Sequence, residues 1–237
     1  MTRNRVLVWD GCVNVRDLGG LPLAGGGETK FRVAVRADSI AGLTEEGWRA
    51  LRGYGVQSAV DLRADEEVAQ DARRAAPIPV VRAPIVPWEI APLAHNWPSM
   101  RVGYLALLDH FRPQFVRAVA AIATAEEPIV IHCQGGRDRT GLVVALVLAL
   151  AGVDAETIAA DHALSDENWA PFRDAWYAEA ETEEERERRR HISRPAGRTM
   201  VEILGEVDSR YGGPDAYLRE GGATGEQLDR LVLRLRP

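Results

Sequence analysis

The stretch from Ile129 to Ala151 constrains the fold of this chain more than any other. It runs from a short apolar segment, Ile129–His132 (IVIH), through a turn holding Gly135 and Gly136, into an apolar run from Thr140 to Ala151. A brief apolar run bounded by glycines reads as a buried strand, and the longer run after it as a buried helix. A strand apolar on both faces must be covered on both sides, which is the situation of a parallel sheet in an α/β domain. Upstream, Val56–Leu62 (VQSAVDL) reads as a second buried strand and Phe31–Arg36 as a further β-rich run. Thr44 ahead of Glu45, Glu46, Trp48 and Leu51 predicts a capped amphipathic helix. Asp65–Ala76 is expected to be helical, Ile78–Val86 an edge or irregular strand because of Pro79 and Pro84, and Pro87–Ser99 a loop. Tyr104–Ala125 predicts two helices interrupted near Pro113. The C-terminal third reads as helical: Asn168–His191, Arg198–Tyr211, a break at Gly212-Gly213-Pro214, then short helices around Ala216–Leu218 and Glu226–Leu235. The expected fold is α/β, a central, largely parallel sheet flanked by helices, in a single domain over 1–237 with 155–195 as a helical lid insertion.

Charge and cysteine usage narrow the function classes. A formal net charge of −6 over 237 residues argues against a general nucleic-acid binder, whose phosphate contacts need a broad basic surface. A local anion pocket stays compatible, because it depends on backbone N–H groups and a few side chains. Two cysteines, Cys12 and Cys133, do not make a disulfide scaffold, so a reducing, cytoplasmic setting is expected. The N-terminal residues hold no apolar core of signal-peptide length. Secretion without such a peptide stays open. The most apolar stretch, Leu142–Val153, is about half of the ~20 residues a membrane-spanning helix needs, so no transmembrane segment is expected.

The chemistry concentrates in His132-Cys133-Gln134-Gly135-Gly136-Arg137-Asp138-Arg139-Thr140-Gly141. A cysteine between a strand end and a helix start sits where the helix dipole favours the thiolate, making Cys133 the candidate nucleophile. Gly135 and Gly136 let successive N–H groups turn the same way, so residues Gln134 to Arg137, with Thr140 and Gly141, are the candidate phosphate cradle. Arg139 is placed for its planar fork to grip two phosphoryl oxygens. The Thr140 hydroxyl is a candidate donor to the Cys133 sulfur. His132 is expected to lie behind the loop and hold its shape through a backbone bond.

This segment resembles the HC-x5-R-[ST] signature of the protein-tyrosine phosphatase superfamily. Within it, HCQGGRDRTG is similar to the HCxxGKDRTG loop of a bacterial tyrosine/phosphoinositide phosphatase family. Asn14–Gly20 (NVRDLGG), Val35–Ser39 (VRADS), Val60–Glu67 (VDLRADEE), Tyr211-Gly212-Gly213 and Tyr217-Leu218 resemble further segments of that family. The resemblance spans nearly the whole chain, except Val86–Arg101 and Trp169–Arg194. It implies a tyrosine-phosphatase-like fold and hydrolysis of phosphomonoesters through a phosphocysteine, with no metal and no organic cofactor. The implied substrates are phosphotyrosine proteins and phosphoinositides. It also places the general acid at Asp138; position alone makes Asp61, at the end of a central strand, the second candidate, and Glu89, in a loop, the third. Arg137 stands where the family has lysine, which keeps the charge and changes its geometry.

Other readings stay beside these. A phosphatase for a small metabolite such as a sugar or nucleotide phosphate would use the same loop. An inactive phosphate-binding module or an arsenate- or sulfur-handling enzyme belongs to different classes. Cys12 reads as a bystander. Arg16, Asp17 and Arg63 read as bracing at least as much as substrate contact, and His95, His110, His162 and His191 as core or surface residues. The run Glu179–Arg190 reads as a solvated helix face with pairs such as Glu184 with Arg188. Trp169, Phe172 and Trp176 read as helical packing or as a lid over the site.

Overall fold

The computed structural model describes residues 4–71, 76–86, 97–196 and 198–237. Five strands form one sheet: β1 (Arg16–Asp17), β2 (Ala34–Ala37), β3 (Ser58–Asp61), β4 (Val80–Arg82) and β5 (Ile129–His132). Their order is β1-β2-β5-β3-β4. Only β1 runs antiparallel, against β2, and the other neighbours pair in parallel. The expected α/β architecture is what the chain adopts.

The central position of β5 follows from its composition. All four residues are buried, with Ile129 and Ile131 in the larger core and Val130 in the smaller one on the opposite face. The period-two alternation of a strand thus feeds two cores at once. Ala34 and Val35 in β2, and Val60 and Ala59 in β3, split the same way. The smaller core is closed by α1 (Glu45–Tyr54), whose buried face carries Trp48 and Leu51. Thr44 accepts the Gly47 N–H at 3.2 Å, the predicted cap, a bond worth about 1 kcal/mol to a helix end.

A short α2 (Asp65–Ala69) follows β3. It ends before Ala76, and residues 72–75 of the expected helix lie outside the described ones. On the larger-core side lie α3 (Met100–His110) and α4 (Arg112–Thr124), which meet at Phe111 with Pro113 in the first turn of the second. A proline there gives up an N–H that would be unpaired anyway. Helix α5 (Asp138–Ala151) is buried over most of its length and ends at Gly152, which has φ +92°. Then come α6 (Ala155–Ala178), α7 (Glu183–Ile192), α8 (Thr199–Tyr211), α9 (Pro214–Glu220) and α10 (Gly225–Leu235).

Two helix boundaries differ from expectation. The helix expected at Asn168 starts at Ala155, capped by Asp154 accepting the Thr157 N–H at 2.9 Å. It stops at Ala178, and the charge run forms the separate helix α7, capped by Thr182 on the Glu185 N–H. In α7, Glu185 pairs with Arg189 at 2.6 Å, one position along from the expected Glu184–Arg188 pair. No helix among the described residues is long and apolar enough to cross a membrane.

Candidate active site

The loop from Cys133 to Arg139 lies at the C-terminal end of β5 and the N-terminus of α5. Its shape is held from outside, carbonyl by carbonyl. Gln134 O accepts the Ser39 N–H at 3.0 Å. Gly135 O accepts Asn14 Nδ2 at 3.0 Å and Trp169 Nε1 at 2.8 Å. Gly136 O accepts Arg36 Nη2 at 2.8 Å. With three successive carbonyls turned outward, the intervening amides turn the other way. Among the described residues, the N–H groups of Gln134, Gly135, Gly136 and Arg137 donate to no protein acceptor. Unpaired amides at a helix N-terminus are an anion cradle.

Gly136 is indispensable to this curve. It has φ +63°, and a Cβ there would overlap the Ala37 carbonyl oxygen. Gly136→Ala is therefore expected to lower kcat/KM for an aryl phosphate about a hundredfold, because the β2 backbone cannot yield and the loop must shift. Steady-state kinetics on the folded variant checks this.

Cys133 is 3% exposed, and its sulfur lies within electrostatic reach of Arg139. Burial works against the Arg139 charge, but the Glu67 carboxylate and Cys133 outweigh it and hold the guanidinium firmly cationic. Glu67 takes Arg139 Nη2 at 2.7 Å and Nη1 by a still shorter bond, leaving the Nε edge without a partner among the described residues. The same carboxylate accepts the Ala64 N–H at 2.8 Å, so α2 fixes its position. The Thr140 hydroxyl is buried with no hydrogen-bond partner among the described residues.

His132 is 1% exposed, with Nδ1 3.3 Å from Cys133 O. Burial pushes its pKa down to about 4, so it is a neutral ring behind the loop.

The two acid candidates separate clearly. Asp61 is 2% exposed, and its carboxylate accepts Arg63 Nε and Nη2 and pairs with Arg82 Nη1 at 2.6 Å. Burial would raise its pKa, but the Arg63 bonds and the neighbouring charges hold it below the carboxylate range. Asp61 is thus paired with two arginines at the strand end. Asp138 has a side chain 41% exposed at the loop itself. Its burial is likewise outweighed, first by the Arg137 charge and then by a Tyr104 hydrogen bond. Glu89 lies outside the described residues.

Arg137, expected among the phosphate ligands, spends its guanidinium elsewhere. Nε and Nη2 lie 3.2 and 3.1 Å from Asp138 Oδ1, Nη1 is 3.2 Å from Asp166 Oδ1, and Nη2 donates to Ile192 O at 2.5 Å. A fork with several donors in one plane serves such a junction as a lysine would not. It ties the loop to the return of the α6–α7 hairpin.

The sequence reading missed the support beneath the loop. Asp161 of α6 sits between Arg16 and Arg36, both 1% exposed, accepting Arg16 Nε at 3.0 Å and Arg36 Nη1 at 2.8 Å, with Arg5 as third partner. Burial and the nearby Arg36 charge push the Arg16 pKa down to about 10, and Asp161 is what keeps it cationic. Arg16 thus pairs with α6, while Asp17 separately accepts the Gly19 and Arg32 N–H groups. Nothing in the local pattern of α6 marks Asp161, because its partners lie on average more than a hundred residues away. At Cys12, burial and Asp38 push the thiol well above the usual range. No group of three His, Cys, Asp or Glu residues among the described ones is arranged to hold a metal.

Comparison with known proteins agrees with this geometry. Residues 7–236 match the tyrosine phosphatase family. A tyrosine-protein phosphatase of Nostoc commune is 29% identical over 224 residues, covering 85% of this chain and 73% of that protein. The triple specificity protein phosphatase PtpB of Mycobacterium tuberculosis is 29% identical over 125 residues, covering 48% of this chain and 45% of that one. The chain belongs to the tyrosine phosphatase family and is a phosphoric monoester hydrolase.

Proposed function

We propose that this enzyme hydrolyses phosphomonoesters in two steps through a phosphocysteine at Cys133. The observation that carries the reading is the loop whose three successive carbonyls, Gln134 to Gly136, are held from outside, with Cys133 at one end and Arg139 at the other. The amides and the free Nε edge of Arg139 bind the phosphoryl oxygens and meet the charge that develops on them in the transition state. The Cys133 sulfur forms its bond to phosphorus as the ester P–O bond breaks, and Asp138 gives its proton to the departing oxygen. Asp138 then takes a proton from the attacking water as the P–S bond breaks and phosphate leaves. Thr140, whose hydroxyl has no other partner among the described residues, donates to the departing sulfur.

The α6–α7 hairpin overhangs this cradle. Trp169 donates its indole N–H to Gly135 O, and Phe172 stays 46% exposed beside it. We assign the hairpin, within 155–195 of a single phosphatase domain, the role of a lid that selects substrates. Phosphotyrosine proteins are the substrates that the family name and the Nostoc relative favour, with phosphoinositides as the second class.

The two-step course predicts a burst. Mixing enzyme with an aryl phosphate of good leaving group should release about one equivalent of phenol before the steady state. Acid quenching should leave one phosphoryl group on the peptide containing Cys133. A linear release with no phosphopeptide, or phosphate on another residue, would sink the proposal.

A further inference from the structure

Behind Asp138 lies a buried polar pair with no stated task. Tyr104 of α3 and His162 of α6 are each 1% exposed, in edge-to-face contact with ring centres 5.9 Å apart. The Tyr104 hydroxyl is 2.6 Å from Asp138 Oδ1 and 3.3 Å from His162 Nε2.

A hydroxyl has one proton to give. At 2.6 Å from a carboxylate oxygen it donates there, so His162 must supply the second bond by donating Nε2–H to the tyrosine oxygen. That requires a ring protonated at Nε2 and bare at Nδ1. Burial and the Arg36 charge push the His162 pKa down to about 3, which keeps the ring neutral. Nδ1 is indeed buried without a partner among the described residues. It faces Gly141, where a Cβ would come within 2.5 Å of it, so a glycine is what lets the ring sit there.

The hydrogen bonds to Asp138 all land on one oxygen. Tyr104 and Arg137 both donate to Oδ1, and among the described residues Oδ2 accepts none. We infer that Tyr104 and His162 are positioning residues that pin Oδ1 of Asp138 and so present Oδ2 as the atom that delivers and recovers the proton. The inference rests on Asp138 being the general acid. When Oδ2 gives its proton to the leaving oxygen, which takes the electron pair of the broken P–O bond, the new carboxylate charge settles on Oδ1. Tyr104 O–H and Arg137 are already in place to receive it. The other groups facing Asp138 are Arg139 on its own helix and Asp166 on α6.

The test compares Tyr104→Phe, His162→Leu, His162→Gln and Asp138→Asn on aryl phosphates of graded leaving-group pKa, across pH. Asp138→Asn should steepen the leaving-group dependence and remove the basic limb of kcat/KM. Tyr104→Phe should slow the poorest leaving groups about tenfold and the best less than about twofold, as a loosened acid demands. It also deletes a donor to the charged carboxyl, so the basic limb should move to higher pH. His162→Leu should behave the same way. His162→Gln, whose amide N–H still reaches the tyrosine oxygen, should restore the wild-type slope. The slope is a ratio taken on one preparation, so partial unfolding cancels from it. Wild-type slope and limb in Tyr104→Phe, with Asp138→Asn altered as stated, would overturn the positioning role and leave the acid standing. An unaltered Asp138→Asn would remove the acid assignment and this inference with it.

Discussion

Replacing Cys133 by serine is expected to cut kcat on an aryl phosphate by on the order of 10⁴-fold or more, while inorganic phosphate still binds. The two halves of that result come from different parts of the site. Attack on phosphorus needs a polarisable anion, and a serine hydroxyl at this position has no adjacent base to ionise it. His132, the nearest imidazole in sequence, lies behind the loop with Nδ1 on Cys133 O, and burial keeps it neutral. Phosphate binding, by contrast, depends on loop amides whose direction is set by Asn14, Arg36, Ser39 and Trp169, none of which the substitution touches. Steady-state kinetics in EDTA, paired with calorimetric titration of phosphate, reads both. Turnover near wild type would mean that another nucleophile does the chemistry. Loss of phosphate binding along with turnover would mean that the cradle depends on the sulfur.

The second large effect is on stability. Asp161→Asn removes the negative charge that, among the described residues, alone lies between Arg16 and Arg36, and keeps the side-chain shape. Two guanidiniums at 1% exposure then lose their counter-charge. Breaking a buried pair in this way costs about 3–5 kcal/mol, because the surviving charges stay desolvated. For a domain of this size that is a fall of roughly 10 °C in Tm. Thermal unfolding followed by circular dichroism measures it, and an unchanged Tm would show that water or backbone groups replace the carboxylate. The difference should also depend on pH. Burial would raise the Asp161 pKa, but Arg16 and Arg36 outweigh it and hold it far below the carboxylate range. Its contribution is therefore complete above the unfolded value of about 3.9 and is lost as pH falls below that. The stability curves of wild type and variant should converge in strong acid. Activity should fall with stability, since Arg36 also holds Gly136 O.

The arginine at position 137 shows how one substitution against a family pattern acquires a structural meaning. Seen in sequence, it is a second cation in a phosphate loop. In the folded chain its guanidinium joins Asp138, Asp166 and the carbonyl of Ile192. The loop, Asp138 and the foot of the hairpin thus share one side chain.

What the chain alone determined was everything encoded within a few residues. The apolar strand Ile129–His132, the helix after it and the HC-x5-R spacing place a thiol and a guanidinium at the two ends of one turn, and backbone geometry leaves little choice about it. The Thr44 cap, the break near Pro113 and the parallel sheet were legible for the same reason, since each rests on local periodicity or a single backbone requirement. Only the tertiary structure decided which charged side chain meets which. Asp161 under the loop, Glu67 on Arg139, the Tyr104–His162 pair behind Asp138 and the pairing of Asp61 with Arg82 all join residues from separate elements. The direction of a side chain in a packed interior is set by the neighbours that remove its water, and those neighbours are not written near it in the chain.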